Sequence, residues 1–160
     1  MNVDMSIEIP PGLLMILGAV LVPFISGKLR SVYMITLPLL GLAHIIMLDH
    51  GTFGISNILG FEQTHVRVDK LSLLFGYIFY IAAALGSLFA WSKRDRFEQT
   101  SAMVHVGSAI GAIFAGDLIT LFFYWELTAV SSAFIIWSNR TERAYGAGMR
   151  YLLIQIISGL

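Results

Sequence analysis

Leu118–Trp137 reads LITLFFYWELTAVSSAFIIW, an apolar run with a single charged residue, Glu126, near its middle. A bilayer core of ~30 Å needs roughly 20 mostly apolar residues as helix, and this run meets that requirement. Working outward, four more segments have the same character: Ile9–Gly27, Val32–Leu48, Leu71–Trp91 and Ala102–Ala115, the last extendable through Thr100, Ser101 and Gly116. A further one begins near Met149 and is still apolar at Leu160. The expected fold is therefore all-α: a polytopic transmembrane helix bundle with five full spans plus the start of a sixth. Residues 1–160 are read as a single transmembrane domain. Pro23 and Pro38 fall inside the first two spans, where a missing N–H predicts kinks.

Composition agrees. The chain of 160 residues is 57% hydrophobic and 12% charged, against ~45–50% and ~25% for ordinary soluble domains. Ten basic and ten acidic side chains give no net charge, and the longest basic cluster is Lys93-Arg94-Asp95-Arg96. Nucleic acid is thus not an expected partner. The absence of cysteine excludes disulfides, thiolate metal sites and iron–sulfur clusters held by this chain. No phosphate-cradling glycine loop, nucleophile elbow or metal-ligand cluster is present, so neither metal nor cofactor is expected. The opening MNVDMSIEIPP carries acids and no base, unlike a cleaved signal peptide.

Lys28 and Arg30 follow the first span, Lys93, Arg94 and Arg96 the third, and Arg140, Arg143 and Arg150 the fifth. The turn at Gly116-Asp117 has no base, and in Asp49–Lys70 acids outnumber bases. Positive residues stay inside, so the N-terminus is expected outside. In that long connection, Ile55, Ile58 and Leu59 precede Gly60, and Phe61, Val66 and Val68 follow it. Two short strands folding back at Gly60 predict an outer-face β-hairpin between spans two and three. Ala82, Gly86 and Ala90, and Gly107, Gly111 and Ala115, form small-residue ridges. They predict that spans three, four and five pack tightly together.

Glu126 is the leading functional candidate. An ionised side chain at that depth costs ~2.5–3.5 kcal/mol on insertion scales. Burial favours the neutral carboxyl and a nearby cation the charged one, so a proton can be loaded and released between the two. The alternative is a carboxyl held in a structural ion pair or hydrogen bond. His105 stands eleven residues before Gly116, and Glu126 ten after it; at 1.5 Å per residue both lie ~15 Å from the turn. A proton relay and a locally bonded histidine are equally open. His44, with Asp49 and His50, is a weaker candidate for an ion entrance, against a simple solvated helix end. His44 and His105 differ too much in depth to share a haem iron. Asp117 reads as a helix cap, and Trp125, too deep for an interfacial anchor, is expected to pack.

Gly116-Asp117-Leu118 through Phe122-Phe123-Tyr124-Trp125-Glu126-Leu127, then Ser131-Ser132, resembles the fifth helix of the proton-conducting antiporter-like family. That family includes subunits of respiratory complex I, membrane-bound hydrogenases and Mrp-type cation/proton antiporters. Val68-Asp69-Lys70-Leu71-Ser72-Leu73-Leu74-Phe75 resembles the start of its third helix after an outer hairpin. Glu142-Arg143-Ala144-Tyr145-Gly146-Ala147-Gly148-Met149-Arg150-Tyr151 resembles the link into its sixth, closest to the D-type member of the Mrp branch. The resemblance covers residues from about 30 to 160. It implies that Glu126 pairs with a lysine on a later helix. No lysine lies within these spans, and family members have about fourteen helices, which implies the N-terminal portion of a longer subunit.

The resemblance implies a subunit of a multisubunit monovalent cation (Na+)/proton antiporter, in the bacterial inner membrane among other membrane subunits. An NADH:quinone oxidoreductase subunit is the neighbouring alternative, and a purely structural membrane subunit the third.

Overall fold

The computed structural model describes residues 9–58, 61–92 and 95–159. In order these form α1 (Pro11–Leu21), a 3₁₀ turn (Val22–Phe24), α2 (Gly27–Ile46), β1 (Gly51–Ile58), β2 (Phe61–Val68), α3 (Lys70–Phe89), α4 (Arg96–Ile113), α5 (Leu118–Trp137) and α6 (Glu142–Gly159). Among the described residues, α2, α3 and α5 are long and apolar enough to cross a membrane. Leu74, Phe75 and Ile78 of α3, and Phe122, Phe123 and Trp125 of α5, are exposed, as lipid-facing side chains are. The chain is an integral membrane protein, mostly helical, with a small two-stranded sheet.

The first apolar segment is not one long helix. Pro23 has no N–H to give and its ring crowds the preceding turn, so α1 ends at Leu21 and tightens into 3₁₀. The apolar helix Pro11–Phe24 is shorter than a full span. Pro38, by contrast, sits buried inside a continuous α2. That helix starts at Gly27, taking in Lys28 and Arg30, and Arg30 is buried.

The small-residue ridges pack differently from expectation. Gly107 and Gly111 of α4 do permit close contact, but with Gly12 of α1 on one side and Tyr124 of α5 on the other. Gly86 of α3 faces open space. Instead α3 lies against α2, where Gly41 leaves room for the Tyr80 ring. The Tyr80 hydroxyl donates to the Pro11 carbonyl at 2.8 Å, which brings α1 to the same place. The tight unit is thus α1, α4 and α5, with α2 and α3 as a second pair. Trp125 does not pack inside the chain: it is 54% exposed on the outer face of α5.

The hairpin forms as an antiparallel pair, with Gly51 opposite Val68 and Ile58 opposite Phe61. Its tip at Leu59-Gly60 lies outside the described residues, as do Lys93 and Arg94 between α3 and α4. Val66 and Val68 point inward while Arg67 between them is exposed, the two-residue period of a half-buried strand. The Arg67 N–H donates to the Phe114 carbonyl at 2.8 Å, pinning β2 onto the end of α4.

Candidate functional site

Asp117 starts α5. Its carboxylate accepts from the Thr120 N–H at 2.8 Å and from the Thr120 hydroxyl at 3.0 Å. Burial raises its pKa, but these bonds and the Thr64 and Ile119 N–H groups outweigh it, and the carboxyl is held below its usual range. The Thr64 bond ties the hairpin to the start of α5. Gly116 beside it has no side chain because the Thr64 backbone occupies that space.

Glu126 follows about two turns into α5. Its Oε1 is buried and has no hydrogen-bond partner among the described residues. A Cβ placed on Gly159 would stand 2.7 Å from that oxygen, so the last turn of α6 closes over the carboxyl through a residue without a side chain. A carboxylate oxygen sealed from water without a donor carries a large desolvation cost.

His105 faces another way. Its Nδ1 lies 3.2 Å from the Thr128 carbonyl, 3.1 Å from the Ser132 hydroxyl and 3.4 Å from that of Ser131. Counting 3.6 residues per turn, Thr128, Ser131 and Ser132 point roughly 120–160° away from Glu126 around α5. The two candidates share a depth to within a turn or two, yet α5 stands between them. Nothing in this arrangement brings the imidazole to the carboxyl. The hydroxyl face that receives His105 was legible as Thr128, Ser131 and Ser132 at one- and four-residue intervals. Gly159 could not be found by spacing, because α6 returns to α5 only in the folded chain.

His44 Nε2 donates to the Ile9 carbonyl at 3.0 Å, fastening α2 to the entry of α1. Asp49 and His50 are exposed just before β1. All three lie at the hairpin end of the molecule, away from Glu126. Among the described residues, no group of three or more His, Asp or Glu side chains is placed to hold a metal.

No protein-family model matches the chain. It is 28% identical over 163 aligned positions to the A-type subunit of the Na(+)/H(+) antiporter of Alkalihalophilus pseudofirmus, covering 88% of this chain and 20% of that one. It is 29% identical over 100 positions to the A1-type subunits of the Na(+)/H(+) antiporters of Staphylococcus haemolyticus and Staphylococcus aureus, covering 58% of this chain and 12% of theirs. The chain thus spans about a fifth of the length of the first of these relatives and less of the others. These similarities support the antiporter-like family. These relatives are A-type subunits, so the D-type likeness of the link into the sixth helix finds no support, and neither does the NADH dehydrogenase branch.

Proposed function

We propose that this chain is part of an Mrp-type Na+/H+ antiporter subunit in which Glu126 takes up and releases the transported proton. The observation that carries the reading is the buried, donor-less Oε1 of Glu126 on a membrane-spanning helix. The similarity to A-type antiporter chains supports the transport class. On this reading the chain is the N-terminal, single transmembrane portion of a longer subunit. It crosses the membrane five times, with α1 and its 3₁₀ turn as the first span, α4 as the fourth and α6 as the start of the sixth. The N-terminus faces outward and the basic loops face the bacterial cytoplasm.

The carboxyl needs a basic partner when ionised, and that partner is a lysine on a helix outside these residues, in the same subunit or a neighbouring one of the complex. His105 serves protons on the far face of α5, bonded to Thr128 and Ser132 rather than to Glu126. His44 and Asp49 belong to the outer surface, where an ion would first meet the protein. Sodium is the exchanged cation in this reading.

Glu126→Gln in the complete complex tests it. The amide keeps the shape and removes the ionisable proton, so Na+-driven proton movement in everted vesicles should fall at least tenfold with assembly intact. Unchanged exchange would remove Glu126 from the pathway.

A further inference from the structure

Between α3 and α4 lies a cavity of about 370 Å³. Small residues line part of it, Ala82 and Gly86 on α3 and Ala102 and Ala109 on α4, beside the larger Phe79, Met103 and Met34. At the end nearest the loop joining the two helices stand Ser87, Glu98 and Gln99, and deeper in the cavity is His105. Asp95 begins α4, so His105 is ten residues, ~15 Å, along the helix from that loop.

The hydrogen bonds of His105 fix its chemistry. The Thr128 carbonyl can only accept, so Nδ1 donates to it in the tautomer that carries its proton there. The neighbouring hydroxyls are committed in the same sense, Ser132 donating to the Thr128 carbonyl at 2.8 Å and Ser131 to the Leu127 carbonyl at 2.8 Å. Nδ1 is thus turned toward α5, and the ring of His105 lines the cavity. At ~30 Å³ per molecule the cavity has room for on the order of ten waters. Ser87, Glu98 and Gln99 toward the loop and His105 deeper in are its polar groups, and the rest of the lining is apolar.

We propose that the α3–α4 crevice is an aqueous inlet leading from the side of the membrane bearing the 92–95 loop to the His105 ring. The inlet rests on the transport reading above only for what it carries, namely protons. It is separate from the Glu126 site, since α5 lies between them.

The chain has no cysteine of its own, which suits a thiol-access experiment. Gly86→Cys places a thiol where nothing stands within 4 Å, and Leu85→Cys gives an exposed lipid-facing control on the next residue. The complete complex in vesicles of known orientation is treated with a charged, membrane-impermeant methanethiosulfonate, with unsubstituted complex as background. Labelling of Gly86→Cys from the side of the 92–95 loop should be at least tenfold faster than from the other side, and tenfold faster than at Leu85→Cys. Labelling only by a lipid-soluble maleimide would mean a lipid-filled groove, and protection from both reagents would mean one filled by a partner helix. Either result overturns the inlet. Ala102→Cys repeats the measurement on the opposite wall, and failure of both variants to assemble would show a packed crevice and overturn it too. Labelling as expected alongside unaltered exchange in Glu126→Gln would keep the inlet and discard the Glu126 pathway.

Discussion

Gly86 and Gly111 are the same residue on neighbouring helices, and the same substitution should move stability in opposite directions. A Cβ on Gly111 would collide with the Tyr124 ring, whereas one on Gly86 meets nothing within 4 Å. Gly111→Ala forces a well-packed contact apart and should cost ~1–3 kcal/mol. Gly86→Ala removes backbone freedom from the unfolded chain and should gain ~0.5–1 kcal/mol. Thermal unfolding of both variants in detergent checks the pair; equal shifts would refute this packing. Both positions read as ridge glycines in the sequence, and four-residue spacing alone cannot say whether a ridge meets a helix or a gap. The same limit applies to Glu126 and His105. Their common depth followed from counting residues, but the opposing faces of α5 followed only from the bonds each side chain makes.

Among the elements, the junction from hairpin to α3 is the most locally determined. Asp69 accepts from the Ser72 and Leu71 N–H groups at 2.8 and 3.0 Å, and the Ser72 hydroxyl accepts in turn from the Asp69 N–H at 2.8 Å, a capping box. The Ser72 N–H first, and the Arg67 guanidinium next, lower the Asp69 pKa from 3.8 to about 2. A carboxylate lowered on folding adds stability above its unfolded pKa, and the gain disappears as pH falls through the folded value. The melting temperature should therefore drop between pH 4 and pH 2 in part through Asp69. Asp69→Asn should melt lower than the parent at pH 7 and converge on it near pH 2. A difference that persists unchanged at pH 2 would assign the cap no ionic part. The hairpin, the Asp117 cap and the α5 boundaries were legible, because strand alternation and capping are short-range, whereas the Asp69 cap was not read. What the sequence missed is the attachment of β2 to Phe114 and Asp117, which joins residues some fifty positions apart.

At the scale of the whole molecule, the loops at the opposite end from the hairpin are drawn together by charge. Asp95 caps α4 through the Phe97 N–H at 2.8 Å and also receives the Arg140 guanidinium at 2.9 Å, linking the loop before α4 to the one after α5. The Glu98 N–H is the first of the groups that hold this carboxyl below its usual range. The Arg140 side chain is 72% exposed, so water and salt screen the pair and Arg140→Gln should cost no more than ~1 kcal/mol, less as salt rises. A larger, salt-independent loss would show the pair to be shielded by something outside this chain. Such modest ties suit a membrane protein whose helices are held chiefly by close packing, here at Gly12, Gly107 and Gly111.

Residue order by itself determined that this chain lives in a membrane, where its apolar helices fall, that a hairpin interrupts them, and that Glu126 is the charge out of place. Those features depend on periods of two and 3.6 residues and on the cost of burying charge, both of which are local. Only the tertiary structure decided that Pro23 cuts the first helix short and that α3 leaves α4 to pair with α2. It likewise decided that Gly159 closes over Glu126 and that His105 turns its back on it. Each of these depends on which face of one helix meets another, and that is settled by the fit of side chains such as Tyr80 and Tyr124 into glycine gaps far away in the chain.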